Sequence, residues 1–346
     1  MENDGCLRRK HVLSEIYNKL MDDESKRIFK SRLLYSLTGE YREIKNIVYE
    51  LKEAKEIRQK IQKFGNGKAV LWGTGFWGTA LKKTFSDIEW ECYVDNAKKE
   101  SIKNGIPVYF PNEYLEKYRE SVVVIASTFY HDEIYQQLLS YGIKEEQIVN
   151  AGKLMEKLFD KQYFDLEEMP HEEEEVFADV GCFDGLTVRN FMKWSENKYK
   201  EIISFEPDRI CFDKCKTLLK DVDNLSLINI GLWNSEGVLN FRETGVSDSM
   251  IAEDGEIQIR TACLDDIVKD KKVTFIKMDI EGAEKEAIIG AETTIRYQKP
   301  KMAISIYHKK QDIWEIPLLL LKMNPEYKFY IRHYSLREAE TVLYAI

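Results

Sequence analysis

Long apolar runs are missing from this sequence of 346 residues. The longest, Ile316 to Leu321 with Pro317 inside it, falls far short of the ~20 residues that cross a bilayer, so no membrane insertion is expected. The opening stretch, Met1 to Leu13, lacks the apolar core of a secretory leader, and a cytoplasmic protein is the expectation. The six cysteines (Cys6, Cys92, Cys182, Cys211, Cys215 and Cys263) include no C-x-x-C pair, which argues for reduced, buried thiols over a zinc knuckle or a disulfide framework. A basic excess is absent too. The formal net charge is -9, whereas displacing counterions from a phosphate backbone needs a positive surface, so no nucleic-acid partner is expected.

What is present is the apolar content of an ordinary globular chain, 44% hydrophobic, at a length that favours more than one core. From about His11 to Lys63, apolar residues recur at helical spacing, as in Ile44, Val48 and Leu51 or Ile57, Ile61 and Phe64, which predicts two or three helices. Ile28, Leu33, Leu34 and Tyr35 among them are expected to pack on a neighbouring domain or on a second copy, which leaves a homodimer open. Gly65-Asn66-Gly67 ends this segment, and a buried strand over 68–72 runs into Gly73-Thr74-Gly75-Phe76-Trp77-Gly78. Further strands are predicted over 90–94, 121–126 and 148–150, with helices over 77–85 and 132–141.

The stretch from Asp165 to Glu175, with Pro170 and four consecutive glutamates, reads as a solvated linker. Seven strands follow, over 176–180, 201–205, 225–230, 273–278, 301–307, 327–333 and 341–346, the last two as an antiparallel pair at the C-terminal edge. The expected fold is therefore α/β: a helical segment (1–64), a small Rossmann-like domain (65–152), a linker (153–175), and a domain with a seven-stranded, mostly parallel sheet (176–346).

Open α/β sheets bind ligands at the carboxyl ends of their strands, and the distinctive residues fall there. The strand over 176–180 ends in Asp179-Val180-Gly181-Cys182-Phe183-Asp184-Gly185, where Gly181 and Gly185 permit tight turns and Asp179 suits a charged amino group. Glu206, in Phe205-Glu206-Pro207-Asp208, stands where a carboxylate accepts hydrogen bonds from both hydroxyls of a ribose. That pair serves NAD as well as other nucleosides, but D-x-G-x-x-x-G lacks the close glycine pair that admits a pyrophosphate. The fourth strand ends in Lys277, Asp279, Glu281 and Glu284, with Lys277 and Asp279 on one side by alternation. The fifth ends in Tyr307-His308, one of only five histidines, and an unperturbed imidazole with a pKa near ~6.5 makes His308 the general-base candidate. A capping histidine without catalytic work is the plain alternative. A divalent cation on His308, Asp279 and Glu281 is a further one, although no ligand spacing here is diagnostic and no metal is assigned.

The runs DVGCFDGLT, FEPD, IKMDIEGAEKEAIIGA and ISIYHKKQDIWEIPLLL resemble the FkbM family of class I methyltransferases, over about 175–346. The resemblance implies S-adenosylmethionine as cofactor and methyl transfer to a hydroxyl oxygen of a small molecule, often a sugar. It implies Asp179, Gly181 and Gly185 in the methyl-donor loop, Glu206 on the donor ribose, and Asn229 and Gly231 in the adenine-side loop. It also places Ser247 and Ser249 in a loop near the site and Asp265 at the end of a similar Leu-Asp stretch. On this reading His308 takes the hydroxyl proton, Asp279 or Glu281 orients the acceptor, and Lys277 holds the acids or an anionic acceptor group.

The earlier motif, LWGTGFWGTALKKTF with Asp95 after the next strand, fits G-x-G-x-x-G followed by an acid about 20 residues on. It resembles the Rossmann-like domains attached to sugar-modifying enzymes, and Gly73, Gly75, Gly78 and Asp95 mark a second nucleotide site or a loop kept for its fold. Two further functions follow from that loop: an NAD-dependent oxidoreductase or dehydratase of nucleotide sugars, and a nucleotide-binding protein without catalysis.

Overall fold

The computed structural model describes residues 13–97, 99–244, 249–252 and 254–346, so Cys6 and Ser247 lie outside the described residues. The chain divides into two compact units: residues 38–161 with 333–339, and residues 162–332 with the N-terminal residues up to 37 and with 340–346. Among the described residues no helix is long and apolar enough to cross a membrane.

The unit built on 38–161 holds a six-stranded sheet in the order β3-β4-β2-β1-β5-β6. Its strands are β1 (Lys68–Trp72), β2 (Glu89–Val94), β3 (Ile102–Lys103), β4 (Ile106–Tyr109), β5 (Val122–Ile125) and β6 (Ile148–Val149). The run Val122-Val123-Val124-Ile125 is buried throughout, as a parallel strand covered on both faces must be, and it pairs directly with β1. Ile44, Val48, Ile57 and Ile61 are buried as their spacing predicts. Two features go beyond the expectation. Asn104 and Gly105 both take positive φ (49° and 81°) and turn β3 into β4 as a tight hairpin. Residues 151–161, the end of the expected Rossmann-like domain and the first part of the expected linker, form the helix Ala151–Lys161, which buries Leu154, Met155 and Leu158 in this unit.

The other unit carries a seven-stranded sheet in the order β16-β17-β15-β14-β7-β8-β9. These strands are β7 (Glu175–Val180), β8 (Tyr199–Phe205), β9 (Leu225–Ile228), β14 (Phe275–Met278), β15 (Lys301–Ser305), β16 (Phe329–His333) and β17 (Thr341–Ala345). All the pairings from β9 through to β15 are parallel, and β17 runs antiparallel to β15, as the sequence pattern predicts. Between β9 and β14 the chain builds a separate sheet, ordered β10-β13-β11-β12, from Gly231–Leu232, Gly237–Arg242, Met250–Ile251 and Ile257–Ala262. The sequence reading did not foresee it.

The outermost strand β16 is covered by the N-terminal residues. Leu20 bridges Phe329, the Ser25 hydroxyl accepts from the Ile331 N–H at 2.8 Å, and Arg332 reaches Asp22 at 2.7 Å. Unpaired edge strands invite pairing with other chains, and this cover occupies one. Residues 13–37 therefore belong with the seven-stranded sheet, not with a separate segment 1–64.

The span 162–175 is likewise no free tether. Phe164 sits in a ring cluster with Phe177, Phe191, Trp194 and Phe275, at centroid distances of 5.9 to 6.4 Å. Glu175, the last of the four glutamates, is buried and paired with Lys301. Phe164→Ala should cost about 3–5 kcal/mol in chemical denaturation, as for other buried aromatics. A change below about 0.5 kcal/mol, normal for a tether, would contradict this placement.

Candidate active site

Parallel register sets the centre of the carboxyl edge. Asp179 on β7 and Lys277 on β14 are direct partners, so their side chains leave the sheet on the same face. The Lys277 ammonium lies 3.2 Å from Asp179 Oδ1 and donates to the Gly181 carbonyl, with both side chains buried. Burial alone would lower the lysine, but the charges of Asp179 and Asp279 outweigh it and hold the ammonium above its ordinary value. Burial raises the Asp179 carboxyl, against the opposing pull of Lys277. Lys277 is thus a clamp on the first loop and pairs with an acid, where the sequence reading offered either the acids or an anionic acceptor group. Neither oxygen of Asp179 accepts a hydrogen bond, so a buried carboxylate at this edge keeps acceptor capacity for a ligand.

The glycines of the loop serve protein packing more directly than ligand approach. A β-carbon on Gly181 would stand 2.1 Å from the Asp279 carbonyl oxygen, and Gly181 has φ 83°. Gly185, at φ 87°, caps the helix Leu186–Trp194 and abuts Leu219. Glu206 then turns back on this loop: its carboxylate accepts the Phe183 N–H at 2.8 Å and the Asp208 N–H at 2.9 Å. Burial lifts its carboxyl to about 7 in spite of those two bonds. Asn229 donates to the carbonyls of Glu206 and Pro207 (2.7 and 3.1 Å), which fixes the backbone that presents Glu206. Gly231 is a buried residue of β10 beside Ile259, and Ser249 donates to Asp208 at 2.5 Å. Asp265 is remote in role. It caps the helix Glu292–Gln298 through Thr293 and Thr294.

The ends of β14 and β15 gather the acid cluster. His308 Nε2 lies 3.4 Å from Asp279 Oδ1 and 3.3 Å from Glu281 Oε2, while Nδ1 lies 3.0 Å from Glu284 Oε1. Burial by itself would lower the imidazole. The carboxylates of Glu284, Glu281 and Asp279 reverse this and hold it well above its ordinary value. The surroundings of His308 thus shift its titration upward, away from the unperturbed imidazole expected from the sequence. Burial also raises Glu281, against the pull of His308.

Three residues here were missed by the sequence reading. The Tyr163 hydroxyl donates to Asp279 Oδ2 at 2.6 Å, Tyr307 stands 3.5 Å from Asp279 Oδ1, and Glu340 accepts from Gln162 at 2.8 Å. Burial and the Asp279 charge push both phenols well above their ordinary value, so they stay protonated and donate. The only signal for Tyr163 was an aromatic pair inside an otherwise polar stretch. Phe183, Glu281 and Tyr163 all hold positive φ (51°, 53° and 75°), a conformation costing such residues about 1–3 kcal/mol each and concentrated at functional sites.

The glycine loop of the other unit is engaged with itself. Asp95 Oδ2 accepts from the Thr74 N–H and hydroxyl at 2.8 and 2.6 Å, and Oδ1 accepts from the Ala97 N–H at 2.8 Å. Burial would raise this carboxyl, but those bonds hold it below its ordinary value. A β-carbon on Gly78 would lie 2.1 Å from the Gly73 carbonyl oxygen, and Gly73, at φ 116°, abuts the Ala126 carbonyl. Gly75 alone faces open space. The loop's geometry is thus accounted for by its own packing.

The buried Asp179–Lys277 pair yields a test. Lys277→Met leaves an unpaired buried carboxylate and should destabilise the chain by about 3–5 kcal/mol, part of which returns in Lys277→Met/Asp179→Leu. Equal losses in the single and double variants, measured by denaturant unfolding, would mean that the charges are not coupled.

With this geometry in view, known proteins are informative. Residues 179–334 match the methyltransferase FkbM domain, and residues 65–149 match the C2185-like N-terminal domain. A 2-O-methyltransferase, NoeI of Sinorhizobium fredii, is 25% identical over 144 residues, 35% of this chain; the match spans 58% of that relative's length. The crystal structure of methyltransferase FkbM from Methylobacillus flagellatus superposes with a TM-score of 0.54 at 18% identity, covering 94% of this chain and 99% of that one, a likeness of fold. Asp179, Glu206 and the acid–histidine edge all fall inside the span, residues 179–334, that is similar to a methyltransferase FkbM domain.

Proposed function

We propose that the chain transfers a methyl group from S-adenosylmethionine to a hydroxyl oxygen of a small molecule, a sugar or glycoconjugate. The observation that carries this reading is one sheet edge bearing two chemistries: buried carboxylates with acceptor capacity at Asp179 and Glu206, and beside them the acids around His308. The 2-O-methyltransferase relative supports an oxygen acceptor. Asp95, already bonded to its own loop, favours this reading over a dinucleotide enzyme built on Gly73 to Gly78.

The residues fit the donor. Asp179 takes its ammonium group and Glu206, whose two oxygens each keep a lone pair, takes the ribose hydroxyls. When bound, the cofactor supplies a methyl group on a positively charged sulfur. The acceptor hydroxyl is held at Asp279 and Glu281, and its proton passes to Glu281, a carboxylate made more basic by burial. His308, 3.3 Å from that carboxylate, offsets its charge. Positioning the acceptor oxygen accounts for much of the remaining rate.

Calorimetric titration of S-adenosylmethionine should show binding to the wild type and to Asp95→Ala, and none to Glu206→Ala. Titration of NAD should give no heat. NAD binding lost in Asp95→Ala, with no response to the methyl donor, would overturn the proposal in favour of the oxidoreductase. Protonating Glu206 removes an acceptor that the ribose needs, so affinity for the methyl donor should fall as pH drops through about 7, approaching tenfold per unit below it. A pH-independent affinity between 6 and 8 would remove Glu206 from the ribose contact. With a sugar acceptor, His308→Ala should lower kcat by about 100-fold while donor affinity stays.

A further inference from the structure

Charge does not balance around His308. One imidazole ring stands among the carboxylates of Asp279, Glu281 and Glu284. The ring is only 7% exposed, yet neither of its nitrogens makes a properly directed hydrogen bond; the carboxylate oxygens merely stand 3.0 to 3.4 Å away. Buried ring nitrogens are ordinarily satisfied. Adjacent ligand atoms about 2.0–2.2 Å from an ion stand about 3.0–3.5 Å apart, and the 3.4 Å between His308 Nε2 and Asp279 Oδ1 is of that size.

We infer that Asp279, Glu284 and His308 form a binding site for one divalent first-row cation. Each offers one ligand atom, and the three atoms lie within 4.8 Å of one another. Glu284 is buried, and its Oε1 also accepts the Ile280 N–H at 2.9 Å, the outer-shell bond that orients a ligating carboxylate. The Tyr163 hydroxyl does the same for Asp279 through Oδ2, leaving Oδ1 directed at the ring. Two carboxylates and an imidazole form a mixed oxygen and nitrogen set that suits Mn2+ or Zn2+ better than an all-oxygen cage. An ion here offsets the negative charge of the surrounding carboxylates. Solvent fills its remaining positions from the side of Asp279 and Glu281, the two partly exposed members. Such an ion would hold a hydroxyl and lower its pKa. The site is made of this chain's own side chains and does not depend on the methyl-transfer reading.

The test is Mn2+ binding to the chelator-treated full chain, followed by electron paramagnetic resonance. One Mn2+ per chain is expected, with spin-echo modulation from a directly bound imidazole nitrogen in the wild type, a readout that needs no variant. His308→Gln and Glu284→Gln should each weaken binding at least tenfold, whereas Asp254→Asn, an exposed acid paired with Arg242, should leave it unchanged. No uptake by the wild type, uptake without nitrogen modulation, or uptake unaffected in both glutamine variants overturns the proposal. Because no methyl donor is present, metal binding without S-adenosylmethionine binding rejects the proposed activity and keeps this site, and the converse rejects this site alone.

Discussion

A lysine and an aspartate buried side by side on adjacent parallel strands fix the carboxyl edge on which the rest of the site depends. Lys277 keeps its charge because Asp179 and Asp279 outweigh desolvation, and the same ammonium pins the Gly181 carbonyl. The first loop therefore takes its path from a charge on the neighbouring strand. Gly181 answers this by lying against the Asp279 carbonyl, too close for any β-carbon. Two loops distant in sequence are locked by one ion pair and one steric contact, each useless without the other.

Burial then does different work at successive positions along that edge. It raises Glu206 to about 7, where an ordinary glutamate would be fully ionised, although two backbone N–H groups oppose it. At His308 the balance reverses, because three carboxylates overcome the same desolvation. The outcome at each group is set by how many opposite charges its loop can bring near, which is a property of the tertiary structure. The positive φ angles of Phe183, Glu281 and Tyr163 belong to the same account, since local conformational energy is spent where these groups are assembled.

These contrasts explain what could be read from the sequence. Strand positions were legible in both sheets because continuous apolar runs such as Val122 to Ile125 carry their own period, and the reversed last pair, β16 and β17, followed from two closely spaced strands. Asp179, Glu206, Asp279 and His308 were legible because strand ends point at one edge. The hairpin at Asn104-Gly105 had a signal that went unused. The four-stranded sheet of 231–262 did not, since its strands mix buried, half-buried and exposed positions without a continuous apolar run. The upward shift at His308 was illegible for a deeper reason: Glu284 is on the following helix and Tyr163 lies 116 positions from its partner Asp279, so spacing along the chain says nothing of either. The polar look of 165–175 concealed Phe164 and Glu175 because averaging over a stretch hides single buried anchors.

The place of β17 has a consequence for how the chain is made. Thr341–Ala345 lies between β15 and β16 in the sheet, and β16 is in turn bridged by Leu20. During synthesis residues 13–37 are made some 300 residues before the strand they cover, and that strand joins the sheet only through β17, which is made later still. Until both strands exist, residues 13–37 keep an apolar face unmatched.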